Sequence, residues 1–168
     1  HNKYATSHFL SLNIGKRMNL NLFESVIWSD GFSGNHRGFD INYLNPVIFF
    51  RPLEYTINDP VEATDNVMMG MGLKFRFWRE NFFYGQILVD DFKLSEFRAG
   101  NGWWGNKQAY QAGWKVFNVF KINGLHGQAE YNTARPFTFA YDHSMKNHGH
   151  YMHPLAHPLG ANFREFII

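Results

Sequence analysis

The stretch Val67-Met68-Met69-Gly70-Met71-Gly72-Leu73-Lys74-Phe75-Arg76-Phe77 decides the fold class of this chain. Its odd-numbered residues are all apolar, and between them lie Met68, two glycines, Lys74 and Arg76. Successive side chains of a β-strand point to opposite faces, so this stretch predicts a strand with one apolar and one charged face. A soluble sheet buries its apolar face in a core, whereas a membrane barrel turns that face to lipid and keeps its charges in the lumen.

Alternation of this kind recurs along the chain and predicts an all-β, antiparallel fold with seven strands. The predicted strands span residues 8–15, 20–28, 66–77, 82–91, 108–117, 125–132 and 161–168. Short turns close the hairpins, whereas long loops at 29–65, 92–107 and 133–160 join one hairpin to the next. Strict alternation of tight turns and long loops is typical of an outer-membrane β-barrel. We expect residues 1–168 to be part of a single transmembrane β-barrel domain, as a fragment of a larger barrel.

A soluble β-sandwich or lipocalin-like barrel binder is an alternative, because its strands alternate in the same way. Loops as long as these are uncommon in compact soluble folds, which favours the membrane barrel.

Composition narrows the function classes. The net charge of +2, without a run of Lys or Arg, does not indicate a nucleic-acid partner. Cysteine is absent, which excludes disulfides and thiolate sites from these residues. Aromatic residues make up 18% of the chain, and many stand near strand ends, where a barrel carries its interfacial girdles.

No catalytic motif is visible, and we expect neither an enzyme nor a cofactor. Asp90 and Asp91 are adjacent and point to opposite faces of a regular strand, so they cannot flank one glycosidic bond. A nucleophile elbow, a phosphate loop and a dinucleotide fingerprint are all missing from the sequence.

The alternation also predicts which polar residues face the lumen. They are Lys74, Arg76, Gln86, Asp90, Gln111, Lys115, Gln128, Glu130 and Asn132. Charges of opposite sign on neighbouring strands can pair across the interior and hold its shape, and the same residues could instead line a conduit or a ligand site.

Two of the long loops combine aromatic rings with amide, carboxylate and guanidinium groups. A pyranose offers its apolar C–H side to aromatic faces and its hydroxyls to such polar groups. The candidate polysaccharide-binding residues are Arg98, Asn101, Trp103, Trp104, Asn106, Arg135, Tyr141, Asp142 and Tyr151. Trp103 and Trp104 could equally anchor the membrane interface or pack the loop base.

Histidines cluster in the last long loop but match no metal-site signature. They are His143, His148, His150, His153 and His157, beside Asp142. Pro154 interrupts the His-x-x-x-His pair at residues 153 and 157, so we expect packed or solvated histidines and no metal.

Several motifs resemble those of a known outer-membrane family. The motifs are Asn101-Gly102-Trp103-Trp104, Gln128-Ala129-Glu130-Tyr131-Asn132, Arg135-Pro136-Phe137-Thr138-Phe139, Gly149-His150-Tyr151 and Ala156-His157-Pro158-Leu159-Gly160-Ala161-Asn162-Phe163. Together with earlier matches they make roughly residues 40 to 166 similar to the Wzi-type capsule-assembly family, and within it to the RemB-type gliding-motility proteins.

The resemblance implies a barrel larger than this chain in the outer membrane of a Gram-negative bacterium. The family prototype is an 18-stranded barrel that acts as a lectin for surface polysaccharide, and the gliding branch is tied to cell-surface motility. We therefore expect contact with outer-membrane lipid, and binding or anchoring of surface polysaccharide, or a place beside other envelope proteins in a motility or secretion-linked complex. A channel or transporter with a polar lumen is the alternative.

Overall fold

Seven strands of the chain form one antiparallel sheet in the computed structural model, which describes residues 2–29, 38–45, 65–90, 94–103, 105–142 and 144–168. The strands are β1 (Lys3–Ile14), β2 (Met18–Ser29), β3 (Asn66–Trp78), β4 (Asn81–Asp90), β5 (Gln108–Phe117), β6 (His126–Ala134) and β9 (Phe163–Ile167). Their order in the sheet is β1-β2-β3-β4-β5-β6-β9, so each strand pairs with the sheet strand that follows it in the chain. The predicted all-β antiparallel fold is confirmed.

Smaller elements occupy the connections. Strands β7 (Gly149–His150) and β8 (His153–Pro154) form a separate two-stranded hairpin, and helix α1 spans Leu94–Ala99. Single 3₁₀ turns cover Ile41–Leu44, Val119–Lys121 and Ser144–Lys146. The predicted loops 92–107 and 133–160 therefore contain short regular elements, while most of the predicted loop 29–65 lies outside the described residues.

Strand bounds differ from the prediction mainly at the loop end of the sheet. Strand β1 begins at Lys3 rather than at residue 8, because Lys3 to Ser7 pair with the last residues of β2, from Ser29 to Ser25. Most residues at these positions are small or polar, so apolar and polar residues do not alternate clearly in this part of the sequence. Strand β6 extends to Ala134, two residues past its predicted end, and β9 covers only Phe163–Ile167 of the predicted 161–168.

The cross-strand register gives the sheet two distinct faces. On one face, which we call the apolar face, Leu10 pairs with Leu22, Leu22 with Met71, and Met71 with Ile87. Apolar side chains on this face are at least 38% exposed along most of its length. They include Leu10, Leu12, Ile14, Met71, Leu73, Phe75, Phe83, Ile87, Tyr110 and Trp114. The described residues leave this surface uncovered.

The buried core lies at the loop end of the sheet, on both faces. On the apolar face, Val26, Trp28, Tyr43 and Val67 form one buried cluster. On the opposite face a second cluster consists of Met68, Leu88, Ala134 and Phe139. The described parts of the long connections therefore cover the end of the sheet where they emerge, and the described residues leave the half nearer the tight turns open.

The sheet is open in the described part of the chain. Strands β1 and β9 are its two outer strands, and no pairing joins them into a closed barrel there. The antiparallel sheet is thus established, whereas closure into a barrel stays a prediction.

Candidate functional site

The nine polar residues predicted to share a face do so, on the side of the sheet opposite the apolar face, which we call the polar face. Successive cross-strand pairs establish this: Gln86 lies opposite Gln111, Gln111 opposite Asn132, and Asn132 opposite Glu165. Lys74 pairs with Tyr84, Arg76 with Phe82, and Lys115 with Gln128 on the same side. Because alternate side chains of a pleated strand point to the same side, all of these side chains lie on one surface. The alternation predicted from the sequence is therefore present in the four central strands β3 to β6.

Glu130 is the centre of a hydrogen-bond network on the polar face. Its carboxylate accepts from the Tyr84 hydroxyl, from Gln111 Nε2 at 3.2 Å, from Gln128 Nε2 at 3.3 Å and from Asn132 Nδ2 at 2.7 Å. Asn132 also donates to Glu165 Oε2 at 3.0 Å. Neutral hydroxyl and amide donors thus satisfy this carboxylate, which links strands β4, β5 and β6.

A glycine makes room for the Tyr84 arm of this network. The Tyr84 ring crosses Gly113, the residue opposite it on β5, and a Cβ at Gly113 would overlap that ring. Glycine is therefore required at position 113, because the Tyr84 ring approaches the β5 backbone too closely for a side chain to fit.

The cations of the polar face are not held by salt bridges. Lys74 Nζ lies 5.2 Å from the centre of the Phe82 ring, and Lys115 Nζ lies 5.3 Å from the centre of the Tyr84 ring. Arg76 Nη2 donates to the carbonyl of Lys16 at 2.9 Å. Among the described residues no carboxylate lies within salt-bridge distance of these three cations, and pairing of charges across a barrel interior stays a prediction. Their contacts in this part of the chain are aromatic faces and a backbone carbonyl.

The long connection between β6 and β9 folds over the loop end of the polar face. We call residues 135–142 and 144–162 the docked segment. The backbone N–H of Phe139 donates to Asp90 Oδ2 at 3.0 Å, and Lys107 Nζ donates to the carbonyl of Ala140 at 2.8 Å. Phe139 packs on Leu88 and Ala134.

Further contacts hold the middle of the docked segment. Asn66 Nδ2 donates to the carbonyl of Lys146 at 2.8 Å, and Lys3 Nζ donates to the carbonyls of Asn147 and Gly149. Together they fix the segment to strands β1 and β3 as well as to β4. Met68 and Leu88 depart from the polar pattern of this face, and their packing with Phe139 explains the departure, which was a sequence signal for this cover.

His148 is the buried titratable group of the docked segment. Its Nδ1 lies 3.1 Å from Asn66 Nδ2, and its Nε2 finds no partner among the described residues. Burial, followed by the nearby positive charges of Lys3 and Lys107, lowers the pKa of His148 to about 4. The imidazole is therefore neutral at physiological pH, and its charging works against docking.

The other loop histidines lie apart from His148. His150 and His153 form a cross-strand pair in the β7–β8 hairpin, and His157 stacks on Phe163, with its Nε2 3.8 Å from Glu165. His143 lies outside the described residues. No group of three His, Asp or Glu side chains in the described part of the chain is placed to hold a metal ion.

The predicted polysaccharide-binding residues divide into structural and exposed sets. Arg135 donates to the carbonyls of Gly102 at 3.1 Å and Trp103 at 3.4 Å, and Asn106 is buried. The Trp103 ring lies against Gly105, where an added Cβ would come within 2.5 Å of Cη2. The structure thus brings Arg135, Trp103 and Asn106 together as the base of the connection between β4 and β5.

The remaining predicted residues are distributed over the loop end. The ring of Tyr141 lies 5.9 Å from Nζ of both Lys107 and Lys146. Arg98, Asn101 and Asp142 are exposed, and Trp104 lies outside the described residues. Tyr151, 85% exposed at the tip of the β7–β8 hairpin, contacts the ring of His150.

No helix in the described residues has the length and apolar character needed to cross a membrane. Comparison of the chain with protein-family models, with curated proteins and with solved structures finds no match in any of the three.

Proposed function

We propose that this chain is a sector of an outer-membrane β-barrel that binds or anchors surface polysaccharide. The observation that carries the proposal is the two-faced sheet, in which a broad apolar face is exposed while the opposite face is lined by amides, carboxylates and cations. Exposed contiguous apolar surface on this scale marks contact with another apolar phase. The alternation of polar and apolar faces along tilted antiparallel strands is the pattern of a transmembrane barrel.

The dimensions of the apolar face support lipid contact. From Met69 to Phe77 the apolar side of β3 covers nine residues, within the about 9 to 11 that a tilted transmembrane strand uses to cross. Near the tight turns the face carries neighbouring aromatic rings, with Phe77 and Phe83 5.0 Å apart and Phe83 and Trp114 6.3 Å apart. A row of rings at this level suits an interfacial aromatic girdle.

The docked segment favours a binding or anchoring barrel over an open channel. It fills the loop end of the polar face through Phe139, His148 and their hydrogen-bond partners. In a closed barrel this packing would narrow the lumen at that end, and the exposed side chains around it would face the cell exterior.

The test combines envelope fractionation with gel mobility before and after boiling. We expect the protein in the outer-membrane fraction, with a mobility that shifts on heating, because a folded barrel resists SDS until it is boiled. The purified protein should be retained on a column of surface polysaccharide from its own cells and should give no conductance in planar bilayers. A soluble, unshifted band would refute the membrane barrel, and steady conductance without retention would favour the channel.

A further inference from the structure

A groove of about 470 Å³ lies on the open half of the polar face, between the docked segment and the tight turns. The side chains that line it include Lys74 from β3, Phe82, Tyr84 and Gln86 from β4, and Gln111 and Lys115 from β5. Its size falls within the range of small-ligand sites. Gly72 lies opposite Gln86 on the same face and has no side chain to fill the groove, so a ligand can approach the sheet backbone there.

The charge of the groove is unbalanced. Lys74 and Lys115 come from strands β3 and β5, which flank β4, and in the described part of the chain neither ammonium group lies within salt-bridge distance of a carboxylate, although the charge of Lys115 acts on the nearby Glu130. The neighbouring Glu130 already accepts hydrogen bonds from four side chains. The two lysines therefore keep donors available for an anion.

The remaining groups of the groove match a sugar ring. Phe82 offers an aromatic ring, Gln86 offers an amide donor and acceptor, and Gln111, whose Nε2 already donates to Glu130, offers its amide oxygen. Free phosphate would use the lysines but would leave the aromatic ring and the amides without a role. A sugar acid uses all three kinds of group.

We propose that this groove binds a uronic acid residue of an acidic polysaccharide, with the sugar carboxylate between Lys74 and Lys115. Gln86 and Gln111 receive the ring hydroxyls, and the pyranose lies against Phe82. This site rests on the proposed polysaccharide-binding function and places it on the polar face, away from the exposed loop residues.

The experiment measures binding of a galacturonic acid oligomer to the intact purified protein by calorimetry. Its matched comparator is the same oligomer with every carboxyl group methyl-esterified. We expect the acid oligomer to bind about tenfold or more tightly than the ester. Added salt should weaken the binding of the acid and leave the binding of the ester unchanged.

The variant K74Q/K115Q should lose about tenfold or more of its affinity for the acid. The control K121Q/R164Q removes the same charge from exposed positions outside the groove and should stay within about twofold of the unchanged protein. Heat-shifted gel mobility of both variants checks that each is folded.

The outcomes separate the two proposals. Equal binding of acid and ester, or acid binding unaffected by K74Q/K115Q, would overturn the groove while leaving polysaccharide binding in place. Absence of binding to this oligomer, together with retention on the native polysaccharide column, would also overturn the uronate site alone. Failure of both binding measurements would reject the polysaccharide function itself.

Discussion

At the scale of single residues, Gly113 shows how one missing side chain organises the polar face. Tyr84 reaches Glu130 by crossing Gly113, and Glu130 in turn holds Gln111, Gln128 and Asn132. The network therefore depends on a residue that makes none of its hydrogen bonds. Sequence alternation locates these polar residues but cannot reveal a requirement for glycine, which arises from the rotamer of a residue on the neighbouring strand.

We expect Gly113→Ala to lower the free energy of unfolding by about 2 kcal/mol, because the new methyl group displaces Tyr84 and breaks its hydrogen bond to a charged carboxylate. Denaturant unfolding followed by tryptophan fluorescence measures the loss. The matched control is Gly72→Ala, where the nearest atom to the added Cβ is 3.5 Å away and little change is expected. Equal loss in both variants would show that the sheet resists any added methyl group and that Tyr84 is not the cause.

At the scale of elements, the docked segment is the part that sequence reasoning missed. The strands follow from alternation, which is a local property of the chain. Docking depends on contacts between distant residues, such as Lys3 with Asn147 and Asn66 with Lys146, and no local pattern encodes them. Met68 and Leu88, two apolar residues among polar ones on this face, are the visible sign of a cover but do not reveal which segment provides it.

Docking should weaken as the pH falls from about 6.5 to about 4. The unfolded chain protonates a histidine at its ordinary pKa near 6.5, whereas His148 in the folded protein binds a proton only near its pKa of about 4. Between these pH values the unfolded state binds more protons than the folded state. The stability contributed by neutral, buried His148 is therefore fully present above pH 6.5 and is lost as the pH falls through this window. The loss is on the order of 3 kcal/mol at about 1.4 kcal/mol per pKa unit.

The measurement compares denaturant midpoints of the unchanged protein and of His148→Gln at several pH values in this window. The difference between the two proteins should shrink as the pH falls, because glutamine cannot be protonated there. His153→Gln is the control, since His153 is exposed on the β7–β8 hairpin. Parallel curves for the unchanged protein and His148→Gln would show that this histidine does not control the acid sensitivity.

At the scale of the whole molecule, the long connections all leave the same end of the sheet and the tight turns all lie at the other. This polarity follows from an antiparallel meander of hairpins, so the sequence was sufficient to predict it. Whether the sheet closes depends on pairing partners for the outer edges of β1 and β9, which no pattern within these residues specifies.

The absence of cysteine from the chain makes its orientation directly measurable. Met152→Cys places a thiol at the fully exposed tip of the β7–β8 hairpin, at the loop end, and Asn123→Cys places one at a tight turn. On intact cells a membrane-impermeant maleimide should label only Met152→Cys, and both variants should react after lysis. Labelling of Asn123→Cys on intact cells would contradict the proposed orientation.

The meander order of the sheet also has a kinetic consequence. Six of its strands, β1 to β6, can be added in sequence order, each beside the strand just formed. Three of the six pairings nevertheless close long loops: β2 with β3 across residues 30–65, β4 with β5 across residues 91–107, and β6 with β9 across residues 135–162. Because loop closure must precede the contacts that reward it, we expect the hairpins β1–β2, β3–β4 and β5–β6 to form before the pairings that join them to one another and to β9.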